Sequence, residues 1–253
     1  MKKEVIGNIT LYCGDSLELL RAGVFGKIGA IVSDPPYGIG FKHGGGGRGG
    51  NVPSSSAPSC AAAIHGDDAP FDPAPWIDAA PRPRDAPPGA DLRLICLWGA
   101  DKYMQRLPEG GTMLAWDKHL GLGADDSFTD CEWAWVGRKT RREVFRWLWK
   151  GIVAQRSPHD ISPASVKGGK GHGAARFARA HVSQKPVELM RWCIDKVRPV
   201  SGLPILDPYM GSGSTLVAAY TMGLPAIGCE IDTAIFAQAC ERLRAVYAQG
   251  ALA

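Results

Sequence analysis

The sequence predicts an α/β fold, a mostly parallel sheet with helices on both faces. Three observations predict it. The C-terminal part reads as strand, glycine loop, helix and strand. An apolar run, Ile28 to Val32, stops at Ser33-Asp34-Pro35-Pro36-Tyr37, where two consecutive prolines forbid regular continuation, so a strand hands over to a loop there. Further short apolar runs recur, two of them separated by a helical stretch. The 253 residues are 45% hydrophobic, ample for a core, and no run of about 18 apolar residues occurs. The start, Met1-Lys2-Lys3-Glu4, is not followed by an apolar signal core, and a cytoplasmic protein without membrane contact is expected.

Taken in order, Asp15 precedes a short helix over Ser16 to Leu20, where aspartate is a favoured N-cap. Gly38 to His65 holds Gly44-Gly45-Gly46-Gly47 and Ser54-Ser55-Ser56, a composition that predicts a long loop beside Asp34. Leu92 to Trp98 and Thr112 to Trp116 read as strands separated by a helical stretch around Tyr103 to Leu107 and a Glu109-Gly110-Gly111 turn. Cys131 to Val136 is another strand. Pro186 to Val197 has apolar residues at helical spacing with proline in the first turn. Pro204-Ile205-Leu206 then leads into Asp207-Pro208-Tyr209-Met210-Gly211-Ser212-Gly213-Ser214-Thr215. After it, Leu216 to Met222 is a helix ended by Gly223, Ala226-Ile227-Gly228 a strand, and Ile235 to Tyr247 a closing helix.

A net charge of +4 identifies no partner by itself, but its distribution is uneven. Between Arg138 and Arg179 eleven Lys and Arg stand against Glu143 and Asp160, so the rest of the chain is net acidic. Phe145, Trp147 and Trp149 lie in this basic stretch, and Lys167 to Gly173 reads as loop. The stretch is either a nucleic-acid contact or a solvated surface over a tryptophan-bearing core helix. The seven cysteines form no CxxC pair and the six histidines no HxxxH or HExxH pattern, so reduced thiols and no metal are expected.

Two sites carry chemistry. Gly211 and Gly213 sit where a strand meets a helix, so a ligand can approach the backbone, and Glu230, nineteen residues past Gly211, is placed for ribose hydroxyls. On that pattern alone a dinucleotide would also fit. The loop is GxGxT rather than GxGxxG, however, and Asp207 puts a carboxylate at the strand tip that repels pyrophosphate and suits a cationic ligand such as S-adenosyl-L-methionine. At the second site an aromatic amino group is a poor nucleophile because its lone pair is delocalised. Hydrogen bonds from it to Asp34 and the Pro35 carbonyl would draw the nitrogen towards tetrahedral geometry, with Tyr37 stacking on the base. Inside a duplex that atom is unreachable, so the base must be flipped out, and the Gly38 to His65 loop could close over it.

These residues resemble the DNA amino-methyltransferases in which the DPPY motif precedes the FxGxG motif. Gly14-Asp15, Asp34-Pro35-Pro36-Tyr37, Gln184-Lys185-Pro186, the Asp207 to Thr215 loop and Gly228-Cys229-Glu230 stand in the order of that family. The glycine loop and tryptophan-rich middle look similar to methylases carried by phages and prophages. The resemblance implies a Rossmann-like S-adenosylmethionine-dependent methyltransferase with a mostly parallel seven-stranded sheet. It divides one domain, 1–253, into a catalytic half (1–136), a target-recognition insertion (137–180) and a cofactor-binding half (181–253). Asp34, Pro35, Pro36 and Tyr37 become catalytic. Asp15, Ser183, Lys185, Asp207, Pro208, Tyr209, Gly211, Gly213, Ser214, Thr215 and Glu230 become cofactor-binding. Asp15 would meet the adenine end or merely cap its helix, and Lys185 would lie under the methionine carboxylate or be a surface lysine. His181-Val182-Ser183 departs from the family's usual HPT, and Tyr209 replaces a phenylalanine.

The implied reaction is direct methyl transfer to N6 of adenine in double-stranded DNA by a monomer or homodimer. Arg138, Lys139, Arg141, Arg142 and Arg146 are expected DNA contacts. Asp34 favours adenine over cytosine N4, whose enzymes in this family more often carry serine there. RNA or a protein amide is a more distant substrate. A DNA-binding module without turnover would show damage at Asp34, Tyr37 or the glycine loop, and a nucleotide-dependent oxidoreductase would bind NAD instead. Pro-Cys, the mark of a carbon-methylating nucleophile, occurs nowhere in the chain.

Overall fold

The computed structural model describes residues 1–38, 65–86, 88–119, 129–150, 153–154 and 184–250. The expected loop over Gly38 to His65 therefore falls almost wholly outside the described residues, as do Ser183 and the basic stretch beyond 154.

The chain opens with a hairpin, β1 (Lys2–Ile6) and β2 (Ile9–Cys13), turned by Gly7-Asn8 with Gly7 at φ 58°. Helix α1 (Ser16–Arg21) leads to β3 (Ala30–Ser33), then α2 (Ala74–Ala79) and β4 (Ile95–Trp98). The helical stretch expected near Tyr103 is α3 (Ala100–Tyr103) continued by a 3₁₀ turn, Met104–Arg106. Strands β5 (Thr112–Asp117), β6 (Cys131–Val136), β7 (Val144–Arg146), β8 (Trp149–Lys150) and β9 (Val153–Ala154) follow. Helix α4 (Val187–Val197), β10 (Ile205–Asp207), α5 (Ser214–Thr221), β11 (Ala226–Glu230) and α6 (Thr233–Gly250) complete the described fold.

The main sheet has the order β1-β2-β11-β10-β3-β4-β6-β5-β7. Only the pairs β1/β2, β4/β6 and β5/β6 are antiparallel, so all strands but β1 and β6 point the same way. The mostly parallel sheet is as expected; its strand count is not. Nine strands stand where seven were expected, because the hairpin partner β1 and the short β7 extend the two edges. The basic, tryptophan-bearing segment also differs from the core-helix alternative. Val144–Arg146 pairs in parallel with β5, and Trp149 pairs with Ala154 in the small β8/β9 sheet.

Alternation along the central strands sorts their side chains into two cores. Ala30 and Val32 of β3 and Cys96 and Trp98 of β4 pack with Leu189, Met190, Leu216 and Phe236 of α4, α5 and α6. Ile31, Ile95 and Leu97 pack on the other face with Leu19, Trp76 and Tyr103 of α1, α2 and α3. Such strands, covered on both faces, are expected to read as continuous apolar runs, as Ile95-Cys96-Leu97-Trp98 does. From β10 the chain returns through α5 to β11 on one side, whereas from β3 it returns through α2 to β4 on the other. The carboxyl ends of β3 and β10 thus flank the switch point, where open α/β sheets bind ligands. No helix among the described residues is long and apolar enough to cross a membrane.

Candidate active site

Strand β3 ends at Ser33, and Asp34-Pro35-Pro36-Tyr37 turns away from the sheet, since proline offers no N–H to continue the ladder. The Asp34 side chain is 20% exposed, and both its oxygens are engaged. The Tyr37 hydroxyl donates to Oδ1, and Lys185 Nζ donates to Oδ2 at 2.5 Å. Lys185 Nζ also lies 3.3 Å from the Tyr37 hydroxyl and 3.1 Å from Glu132 Oε2. Glu132 in turn accepts from Lys118 Nζ at 2.8 Å. A chain of alternating charge, Lys118, Glu132, Lys185 and Asp34, therefore runs from the antiparallel end of the sheet to the DPPY loop. Tyr37 is held from behind by Gly99, φ 74°, where a Cβ would stand 2.1 Å from its ring.

The electrostatics follow from burial opposed by pairing. Burial pushes the Asp34 carboxyl above its usual range, Lys185 pulls it down and Glu132 pushes it up again. Burial would also raise Glu132, but Lys185 and Lys118 outweigh it and hold that carboxyl at about 2. For Lys185, burial would favour the neutral amine, and the Asp34 and Glu132 carboxylates reverse this, keeping it a firm cation. Burial and the neighbouring Asp34 carboxylate raise the Tyr37 phenol far above its ordinary value, so it remains a donor.

The second cluster sits on the adjacent strand tips. Asp207, buried at the end of β10, accepts from Ser33 Oγ at 2.6 Å and from Tyr209 N at 3.2 Å, tying the glycine loop to β3. Burial raises its carboxyl to about 6. Pro208 is buried beside it. Gly211 has φ 51° and open space where a Cβ would stand, and its N–H donates to Glu230 Oε2 at 3.1 Å. Gly213, φ 80°, caps α5, and Ser214 and Thr215 are buried in the first turn of that helix. Burial raises the Glu230 carboxyl too. Asp15 caps α1 through Oδ1, accepting from Leu17 N at 2.8 Å and Glu18 N at 3.0 Å, and the neighbouring Gly14 N–H bonds the Glu230 carbonyl at 3.0 Å. The capping alternative for Asp15 is thus realised, at a place next to Glu230.

Lys185 joins the two clusters. Its carbonyl accepts from Ser214 Oγ at 2.7 Å while its ammonium reaches Asp34. It is buried, not the surface lysine that charge alone would allow. Arg242 of α6 supports the glycine loop from beneath, donating to Ser212 O at 3.0 Å and Ser214 Oγ at 3.2 Å.

The expected DNA contacts divide. Arg146 ends β7 on the same sheet edge as Asp34, 3.6 Å from Asp117. Arg138 follows the far end of antiparallel β6, donating to the Val197 carbonyl at 3.3 Å, with Asp85 at 3.6 Å. Arg138 and Lys139 therefore lie at the edge of the sheet opposite Asp34, and Arg138 links the end of β6 to the end of α4. Arg141 and Arg142 are exposed on the way to β7. Glu132, Lys118, Gly99, Ser33 and Arg242 were not singled out in the sequence. The one available signal was a carboxylate inside the otherwise uncharged run Cys131 to Val136.

A doubly covered α/β sheet thus brings a DPPY loop and an acidic glycine loop together at its switch point. The DNA methylase family matches residues 99–241, more than half of the chain, and the chain belongs to that family. The type II methyltransferase M.HindIII of Haemophilus influenzae is 43% identical over 63 residues, 25% of this chain and 20% of that enzyme. Among solved structures, M1.HpyAVI in complex with SAM covers 93% of this chain and 98% of its own at 19% identity, TM-score 0.49. The cytosine-N4-specific PvuII DNA methyltransferase covers 97% and 93% at 14% identity, TM-score 0.49.

Proposed function

We propose that this chain transfers a methyl group from S-adenosyl-L-methionine to N6 of a flipped-out adenine in DNA. The observation that carries the reading is the pair of loops on adjacent strand tips, Asp34 to Tyr37 and Asp207 to Gly213, tied by the 2.6 Å Ser33–Asp207 bond. The donor set fits the cofactor: Asp207 and Glu230 bring carboxylates to a loop whose Gly211 leaves open space, which suits a cationic amino-acid end and ribose hydroxyls. When bound, S-adenosyl-L-methionine supplies an electrophilic methyl group on a sulfonium.

The protein's own groups do the rest. Asp34 accepts a hydrogen bond from the target amino group and localises the nitrogen lone pair, while the Pro35 carbonyl accepts the hydrogen bond of its second N–H. Tyr37, wedged against Gly99 and donating to Asp34, fixes the angle of that carboxylate and presents its ring to the base. Asp207 and Glu230, with Asp15 beside them, orient the donor, and the Lys185 carbonyl steadies the loop through Ser214. The carboxylate at position 34, where the family's cytosine enzymes more often have serine, favours adenine.

The test is incubation with unmethylated DNA and tritiated S-adenosyl-L-methionine, digestion to nucleosides and mass spectrometry of the labelled one. Label in N6-methyl-2′-deoxyadenosine, reduced by roughly 10²-fold or more in Asp34→Ala, is expected from loss of a transition-state contact. Label in N4-methyl-2′-deoxycytidine would move the base assignment, and no label in DNA with cofactor still bound would overturn the substrate.

A further inference from the structure

We propose that Glu132 is a positioning residue acting through Lys185: it gives the buried ammonium a second carboxylate to rest on, releasing Asp34 to the target amino group. The inference rests on the methyl-transfer reading above and adds a step that reading does not contain.

The need for such a residue is geometric. Both Asp34 oxygens already have donors, Tyr37 on Oδ1 and Lys185 on Oδ2. Each oxygen can still accept a second hydrogen bond, but the ammonium 2.5 Å from Oδ2 draws the negative charge that an entering amino group needs, and the amino group competes with it. Displacing the tyrosine would disturb the ring that presents to the base, so Lys185 is the group to move. A buried ammonium cannot simply be left without a partner, because stripping a charge of both water and counterion is prohibitive. Glu132 Oε2 meets that requirement. It is buried and already ion-paired with Lys185 Nζ at 3.1 Å, a longer contact than the 2.5 Å bond from the same ammonium to Asp34. A small rotation of the lysine end shortens the Glu132 contact. Glu132 itself is kept in place by Lys118 on its other oxygen, 2.8 Å away.

Charge development pushes the same way. The amino nitrogen gains positive charge as it takes the methyl group, and an ammonium of like charge on the same carboxylate opposes it. Moving Lys185 towards Glu132 withdraws the repulsion while keeping all four groups paired: two lysines, Glu132 and Asp34, net zero. Lys185 remains an ammonium throughout; the proton that the methylated nitrogen must lose leaves through Asp34 to solvent, not through the lysine. Carboxylate positions in neighbouring strands are also fixed by the sheet, since Glu132 is paired with Trp116 across β5/β6 and cannot follow the lysine.

A mutant cycle tests this. Transfer to unmethylated DNA is measured at saturating S-adenosyl-L-methionine for wild type, Glu132→Gln, Lys185→Met and the double variant, with cofactor affinity measured separately by calorimetry. Glu132→Gln is expected to lower kcat at least tenfold while cofactor affinity stays within threefold. In the Lys185→Met background the same substitution is expected to change kcat less than threefold, since the cation it serves is gone. Equal losses in both backgrounds, or an unchanged kcat in the single variant, would overturn the proposal. Should Glu132→Gln fail to fold, the Lys185→Met pair still decides, a loss above tenfold there refuting it. A wild-type protein that binds cofactor but labels no DNA would instead defeat the underlying reading.

Discussion

Tyr209 shows what a single hydroxyl can be for. The family position is usually phenylalanine, and here the hydroxyl accepts from Trp76 Nε1 at 3.1 Å while its ring meets Trp76 and Phe71 edge-on. Trp76 is fully buried, so Tyr209→Phe would strand its N–H. The variant should lose about 1–3 kcal/mol of stability in urea unfolding and keep cofactor affinity near wild type. Asp207 gives a pH prediction. Its carboxyl is raised from 3.8 to about 6, chiefly by burial. A raised carboxyl favours the folded state when protonated, so this group's stabilising share is present below 3.8 and lost as pH rises towards 6. Cation binding has the opposite sign, because only the ionised form attracts the ligand. Affinity for S-adenosyl-L-methionine should fall as pH drops below 6, by about tenfold per unit, and Asp207→Asn should flatten that dependence in calorimetry between pH 5 and 8.

At the scale of the element, the proposed catalytic loop is shaped by its neighbour β4. Gly99 follows β4 in a left-handed conformation, and its missing side chain makes room for Tyr37. Gly99→Ala should displace the tyrosine and lower kcat at least tenfold, with helix content by circular dichroism retained; unchanged turnover would show that Tyr37 is not held this way. The strand tips were legible in the sequence because prolines and glycines mark where β3 and β10 stop. Their side-chain partners were not. Glu132 and Lys185 are 53 positions apart, and their meeting depends on β6 entering between β4 and β5, a pairing that hydrophobic alternation does not encode. The hairpin β1/β2 was readable from Gly7-Asn8 between Ile6 and Ile9, a turn signal overshadowed by the motifs that follow. The stretch Phe145 to Trp149 is ambiguous for a physical reason: aromatic residues on alternate positions satisfy a strand, and only the partner strand decides between strand and helix.

Across the whole molecule, the sheet sorts its basic residues by edge, which a charge count along the chain cannot do. Both candidate loops occupy the carboxyl edge, so on the proposed reading DNA approaches from there. Arg146 ends β7 on that edge with its side chain 63% exposed, whereas Arg138 is 13% exposed at the other edge and bonded to the end of α4. The two arginines, eight positions apart, should therefore behave differently. Arg146→Ala should weaken binding to an unmethylated duplex in fluorescence anisotropy and reduce the slope of log affinity against log salt by about 1, the signature of one lost phosphate contact. Arg138→Ala should leave that slope unchanged and lower the unfolding midpoint instead, because it frees the Val197 carbonyl and exposes the junction of β6 with α4. Equal slopes for Arg146→Ala and wild type would place the duplex away from β7 and shift the search for phosphate contacts along the same edge, where the proposed cofactor and catalytic loops lie.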